Sequence, residues 1–159
     1  MRDLEPAPLS WIESAPHVIR VSAKLAAPPE RVFAAFADGP GWTSWFPMMT
    51  QAAWVDGKTS GVGAERDVAM RLFGRFRERF IAWEPGRRFS FTIVQSTSPL
   101  LRRFAEDYRL SADGAGTRFD WTAGAEPANA AASLLAPGLR LFMRRLLARA
   151  AKNLDASLR

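Results

Sequence analysis

Arg75, Arg77 and Arg79 are interleaved with Phe76, Glu78 and Phe80. Successive side chains on a strand point to opposite faces, so this run has one cationic face and one that is largely aromatic. Similar alternation covers residues 17–25, 50–55, 64–72, 88–95, 104–111 and 117–123. Seven such runs joined by tight turns predict a mostly antiparallel sheet. Residues 129–158 read instead as a helix, interrupted or begun at Pro137-Gly138. Along it Leu139, Phe142, Met143, Leu146, Leu147, Ala150 and Leu154 share one side, and Arg140, Arg144, Arg145, Arg149 and Lys152 fall away from it. An α+β fold with this stripe laid on the sheet is the expectation.

The length of 159 residues and the 48% apolar content suit one domain with one core. Residues 1–16 contain Pro6, Pro8 and Pro16 and show no periodicity. They are read as an irregular arm whose Leu9, Trp11 and Ile12 can still pack on a body formed by 17–159. No stretch approaches the roughly 18–20 apolar residues of a membrane-spanning helix, and Asp3 and Glu5 stand where a secretory signal would be basic, so a cytoplasmic location is expected. The chain has no cysteine and one histidine, His17, which excludes thiolate chemistry, sulfur-ligated zinc and a multi-histidine metal site within one chain. No metal and no cofactor are expected. The net charge of +6 invites a nucleic-acid reading, but only Lys24, Lys58 and Lys152 are lysines, and Asp and Glu are interspersed among the arginines. No nucleic-acid partner is expected; a homodimer stays open.

Two turns set the register. Glu84-Pro85-Gly86-Arg87 suits a type II turn and Ala112-Asp113-Gly114-Ala115 a type I′ hairpin. Counting back places Phe80 opposite Phe91, Glu78 opposite Ile93, Tyr108 opposite Phe119 and Glu106 opposite Trp121. If the 96–103 connection keeps parity, Glu106 also sits beside Ile93. Three arginines two apart cannot all be buried, so the inner face is the other one. It carries Phe76, Glu78, Phe80, Phe89, Phe91, Ile93, Phe104, Glu106, Tyr108, Phe119 and Trp121, with Arg66, Val68 and Met70 from the preceding strand. Two carboxylates and one guanidinium on such a face have two readings. Arg66 pairs with a glutamate at the rim of an ordinary core, or the face lines a partly hydrated pocket with a few polar anchors.

The stretch PPERVFAAFADGPGWTSWFP, a strand entered through GVGAER, ERFIAWEPGRRFSF, a strand near AEDYRL, and GTRFDWT before a long helix together resemble the START-like, helix-grip (SRPBCC) superfamily, in its polyketide cyclase/dehydrase-like branch. The resemblance spans about 17–158. It implies a curved seven-stranded antiparallel sheet around the C-terminal helix, with a cavity between them and two short helices, about 30–37 and 42–46, closing one end. It also implies binding of a hydrophobic small molecule such as a lipid, polyketide or aromatic metabolite. On this reading Trp42, Trp45, Phe46, Arg66, Met70, Glu78, Phe80, Phe91, Ile93, Glu106, Tyr108, Trp121, Phe142, Met143 and Leu146 are the candidate ligand contacts; end-of-core packing is the alternative for the three aromatics at 42–46. Cyclase or dehydratase chemistry would draw on Glu78 or Glu106 with Tyr108 and Arg66 as base, acid and enolate stabiliser. A third reading is a protein or membrane interaction module working through the basic helix face. A serine or cysteine triad is excluded by the position of His17 and the lack of cysteine. GVGAER lacks the Lys-Ser/Thr ending of a phosphate loop and leads into a strand.

Overall fold

The computed structural model describes residues 1–159. Alternation becomes sheet where predicted: β2 (His17–Leu25), β3 (Met49–Trp54), β4 (Glu65–Met70), β5 (Gly74–Glu84), β6 (Arg88–Ser96), β7 (Leu101–Asp113) and β8 (Gly116–Pro127) form one antiparallel sheet in the order β2-β8-β7-β6-β5-β4-β3. The short helices α2 (Pro29–Ala37) and α3 (Trp42–Trp45) follow β2, and α4 (Ala130–Ser157) lies across the inner face. Pro29 occupies the first turn of α2, where its missing N–H has no partner to lose.

The N-terminal segment, expected to be irregular, adds an eighth strand and a short helix. β1 (Arg2–Asp3) pairs with the end of β6, and α1 (Leu9–Ile12) packs Ile12 with Ala7 and Ala105. The reason lies in β6, which pairs with β7 only as far as Thr92; beyond it, the backbone N–H of Leu4 donates to Val94 O at 2.8 Å and β1 takes Gln95 and Ser96. The arm supplies hydrogen-bond partners where β7 has turned away, and no proline blocks residues 2–4.

Phe80 does face Phe91 and Glu78 does face Ile93, but by two compensating offsets. Glu84 pairs with Arg88, one residue beyond the counted pair, and an irregularity between Phe80 and Ala82 restores the expected alignment. The second hairpin turns one residue later than expected, so Asp113 faces Gly116. Gly114 alone of the two loop residues has positive φ (64°), as a type II′ turn requires. Every pair on β7 and β8 is thereby displaced by two: Tyr108 faces Trp121, Leu110 faces Phe119 and Glu106 faces Ala123. A shift of two preserves which side chains point inward. Glu106 also neighbours Phe91 rather than Ile93.

Arg75, Arg77 and Arg79 lie on the outer face, where Arg77 pairs with Asp67 at 2.8 Å and Arg79 with Glu65 at 2.8 Å. The inner face buries the aromatics with α2, α3 and the second half of α4, including Leu147, Ala150 and Leu154. α4 runs unbroken through Pro137, so the expected interruption does not occur. It is capped by the Asn129 side chain, which accepts from Ala132 N at 2.9 Å. Its far end is fixed by Asp155, which accepts from Ala26 N at 2.7 Å, and by Asn153, which donates to Trp45 O at 3.1 Å.

Candidate functional site

α4 seats its second half and lifts its first. Leu146, Leu147, Ala150 and Leu154 are buried, whereas Leu135, Leu139 and Phe142 remain exposed. A cavity of about 250 Å³ lies under the lifted half, above β4 to β7. Its walls are Trp42, Phe46, Met49, Val68, Met70, Phe76, Phe91, Ile93 and Phe104, with Ala132, Ala136 and Met143 of α4. It opens between α4, the β4–β5 turn and the β6–β7 loop, where the exposed Leu72, Leu100, Leu135 and Leu139 line it.

Three ionisable groups of this apolar enclosure sit on its floor: Glu78, Glu106 and Tyr108. Glu78 accepts two bonds on Oε2, from Arg66 Nε at 2.9 Å and Nη2 at 2.6 Å. Arg66 is itself fully buried, its guanidinium carbon 4.1 Å from the Trp42 ring centroid and 5.5 Å from that of Phe80. These ring faces take the place of a hydrogen bond for Nη1, which has no partner. Glu106 accepts on Oε2 from the Tyr108 hydroxyl and from Trp121 Nε1 at 3.1 Å. Each carboxyl therefore has one oxygen held by the protein and a second, Oε1, that receives no protein donor.

Burial pushes Glu106 up to about 8; the bonds from Tyr108 and Trp121 oppose the rise and the neighbouring Glu78 adds to it. Burial also raises Glu78, against the pull of the Arg66 cation. Tyr108 is driven well above its usual value by burial and then by the charge and hydrogen bond of Glu106. At neutral pH the arrangement is a protonated Glu106, a neutral Tyr108 and an Arg66–Glu78 pair. Chemically, it offers an apolar guest a carboxylic acid that donates, from Glu106, and a carboxyl oxygen that accepts, on the Arg66-bound Glu78.

Of the sequence candidates, Trp42, Phe46, Met70, Glu78, Phe91, Ile93, Glu106, Tyr108 and Met143 line the cavity. Arg66, Phe80, Trp121 and Leu146 are buried without lining it. Trp45 is turned to a separate surface pocket with Met48, Arg71 and Asn153, and Phe142 lies at the surface against Phe73. The aromatic turn thus supplies wall residues at 42 and 46 rather than mouth residues. Both readings of the inner-face charges describe part of the geometry: Arg66 does pair with a glutamate, yet in the interior, and that glutamate faces the cavity. Sequence reasoning missed the mouth, including His17, Leu72, Phe73, Leu100 and Leu101. The available signal was Leu72-Phe73 and Pro99-Leu100-Leu101, apolar side chains placed at turns.

The family model described as "Polyketide cyclase / dehydrase and lipid transport" matches residues 16–159. Uncharacterized proteins of Mycobacterium tuberculosis (strain ATCC 25618 / H37Rv) and Mycobacterium bovis (strain ATCC BAA-935 / AF2122/97) are each 35% identical over 159 residues, covering 98% of this chain and 95% of theirs. Among solved structures, the aromatase/cyclase ZhuI from Streptomyces sp. R1128 superposes with a TM-score of 0.75 at 15% identity, over 89% of this chain and 93% of its own. Ara h 8.0201 does so at 0.71 and 17% identity, over 89% and 97%. At these identities the likeness is one of fold: the helix-grip architecture of a curved sheet around a long C-terminal helix. With the match extending over nearly the whole chain, the protein belongs to the polyketide cyclase/dehydrase and lipid transport family.

Proposed function

We propose that the protein binds a compact, mainly apolar small molecule between the sheet and α4, anchored by Glu106 and Glu78. The observation that carries this reading is the pair of unengaged carboxyl oxygens inside an otherwise apolar cavity. A structural core would enclose such groups or omit them, because a buried polar atom without a partner costs about 1–3 kcal/mol. The volume of about 250 Å³ lies just below the roughly 300–1,000 Å³ of drug-sized sites, which favours a small guest. The guest presents an acceptor, such as a carbonyl, to Glu106 and a hydroxyl or amine to Glu78.

Native and denaturing mass spectra of freshly purified protein test this. An added mass that disappears on unfolding is the expected result. A clean mass, together with no saturable uptake of an apolar fluorophore by the protein, overturns the reading. One observation favours a second, catalytic reading: an acid held protonated near neutral pH beside a counter-charged carboxylate suits enolisation, cyclisation or dehydration, in which Glu106 gives a proton and Glu78 takes one. On that reading Glu106→Gln abolishes turnover while ligand uptake persists.

A further inference from the structure

The mouth of the cavity is apolar and exposed at three separate segments. Leu72 in the β4–β5 turn is 90% exposed, Leu100 in the β6–β7 loop 42%, and Leu135 on α4 59%; Phe142 is exposed beside Phe73, ring centroids 6.0 Å apart. One exposed leucine is ordinary, but several gathered at one opening mark a contact surface. Leu72 also holds a φ of 71°, a conformation that a non-glycine residue seldom adopts, and it does so pointing into solvent.

The three segments that frame this rim carry cations only, and the acids beside it, Glu5 and Glu126, are paired with Arg102 and Arg103. Residues 68–77, 94–105 and 128–154 contain no Asp or Glu. Arg71, Arg140, Arg144 and Arg145 are exposed and form no ion pair, whereas the outer-face arginines Arg77, Arg79 and Arg88 each have a carboxylate partner. Apolar side chains ringed by unpaired cations are complementary to a bilayer interface with acidic headgroups.

We propose that the cavity mouth docks on an anionic lipid surface. Leu72, Leu100, Leu135 and Phe142 enter the interface, and Arg71, Arg140 and Arg144 meet the headgroups. The purpose, exchange of an apolar guest directly with the bilayer, rests on the cavity-binding reading; the docking itself does not.

The test is co-sedimentation of the full chain with phosphatidylcholine vesicles, with and without phosphatidylserine, alongside uptake of an apolar fluorophore in vesicle-free solution. The protein is expected to pellet with the phosphatidylserine vesicles only. Binding should weaken with added salt and fall roughly fivefold for each of Arg140→Gln and Arg144→Gln. Leu72→Glu, at a site too exposed to disturb folding, should lower binding further, and Leu72→Glu/Leu135→Glu should abolish it. Absence of pelleting, equal pelleting on phosphatidylcholine alone, or wild-type binding by Leu72→Glu overturns the proposal. So does self-association that Leu72→Glu removes without any vesicle binding, which would assign the patch to a second copy of the chain. Fluorophore uptake without vesicle binding removes the docking and leaves the cavity reading; vesicle binding without uptake does the reverse.

Discussion

Glu78 and Glu106 stand on the same inner face, are each 4% exposed and look into the same cavity, yet their surroundings differ in kind. On the β4–β5 side, Glu78 meets a guanidinium through two bonds to one oxygen. On the β7–β8 side, Glu106 meets only neutral donors, a phenol and an indole. Burial raises both carboxyls, but only Glu78 has a full opposite charge in contact. One cation for two carboxyls lets the cluster be neutral when one of them is ionised and the other protonated. The partner, more than the degree of burial, separates a carboxyl paired with a cation from one held by neutral donors.

The largest way to break this contrast is to remove the cation. Arg66→Met leaves Glu78 buried without its counter-charge and is expected to cost roughly 3–5 kcal/mol in urea unfolding. Arg66→Met/Glu78→Met should recover much of that loss, since replacing a whole buried pair is often close to neutral. A single variant within about 1 kcal/mol of wild type would mean that the pair is not what sustains Glu78.

Glu106→Gln sharpens the comparison from the other side. The Glu106 carboxyl sits at about 8 against an ordinary 4.5, so between those values the folded state holds a proton that the unfolded state has released. Stability from this group is therefore full below 4.5, falls as pH rises, and levels off above about 8. The whole interval corresponds to at most about 5 kcal/mol, and relaxation around the ionised group reduces it. Glutamine keeps an acceptor oxygen and does not titrate, so the variant should be more stable than wild type at pH 9 by about 2–3 kcal/mol and similar to it near pH 5. Parallel stability curves for the two proteins across that range would contradict the assignment.

How much of this was legible beforehand depends on whether a feature is set by parity or by count. The triplet Arg75, Arg77 and Arg79 decided the inner face correctly for β4 to β8, because alternation survives any shift of two. Exact partners did not survive: Asp113-Gly114 reads as a type I′ turn, but the chain uses Gly114-Ala115, and Tyr108 meets Trp121 instead of Phe119. The Phe80–Phe91 match was reached although both steps leading to it were off by one. Glu106 could be placed inside by parity, while its bond to Tyr108, two residues along the same strand, depends on side-chain reach that no pattern states. The helical stripe likewise could not reveal that only its second half seats. Leu139 and Phe142 have the spacing of core residues, yet Leu139 lines the cavity opening and Phe142 lies at the surface against Phe73. The arm lacked periodicity because its pairing partner, the free end of β6, exists only after β7 diverges.

The smallest change tests why Glu106 is not raised further. Tyr108→Phe removes one of the two donors on Oε2 and leaves the tilted ring contact with Trp121, 4.7 Å between centroids, in place. The lost bond favours the ionised carboxyl more than the protonated one, since charge strengthens a hydrogen bond. Its removal must therefore lift Glu106 above about 8, opposite to what a loss of packing alone would do. Two effects follow with different signatures. Stability near pH 6 should drop by about 1 kcal/mol, the net worth of one hydrogen bond. The alkaline decline should continue to a higher pH than in wild type before levelling. If the decline ends at the same pH in both proteins, the phenol does not tune the acid, and Trp121 Nε1 and the neighbouring Glu78–Arg66 pair are left to set it.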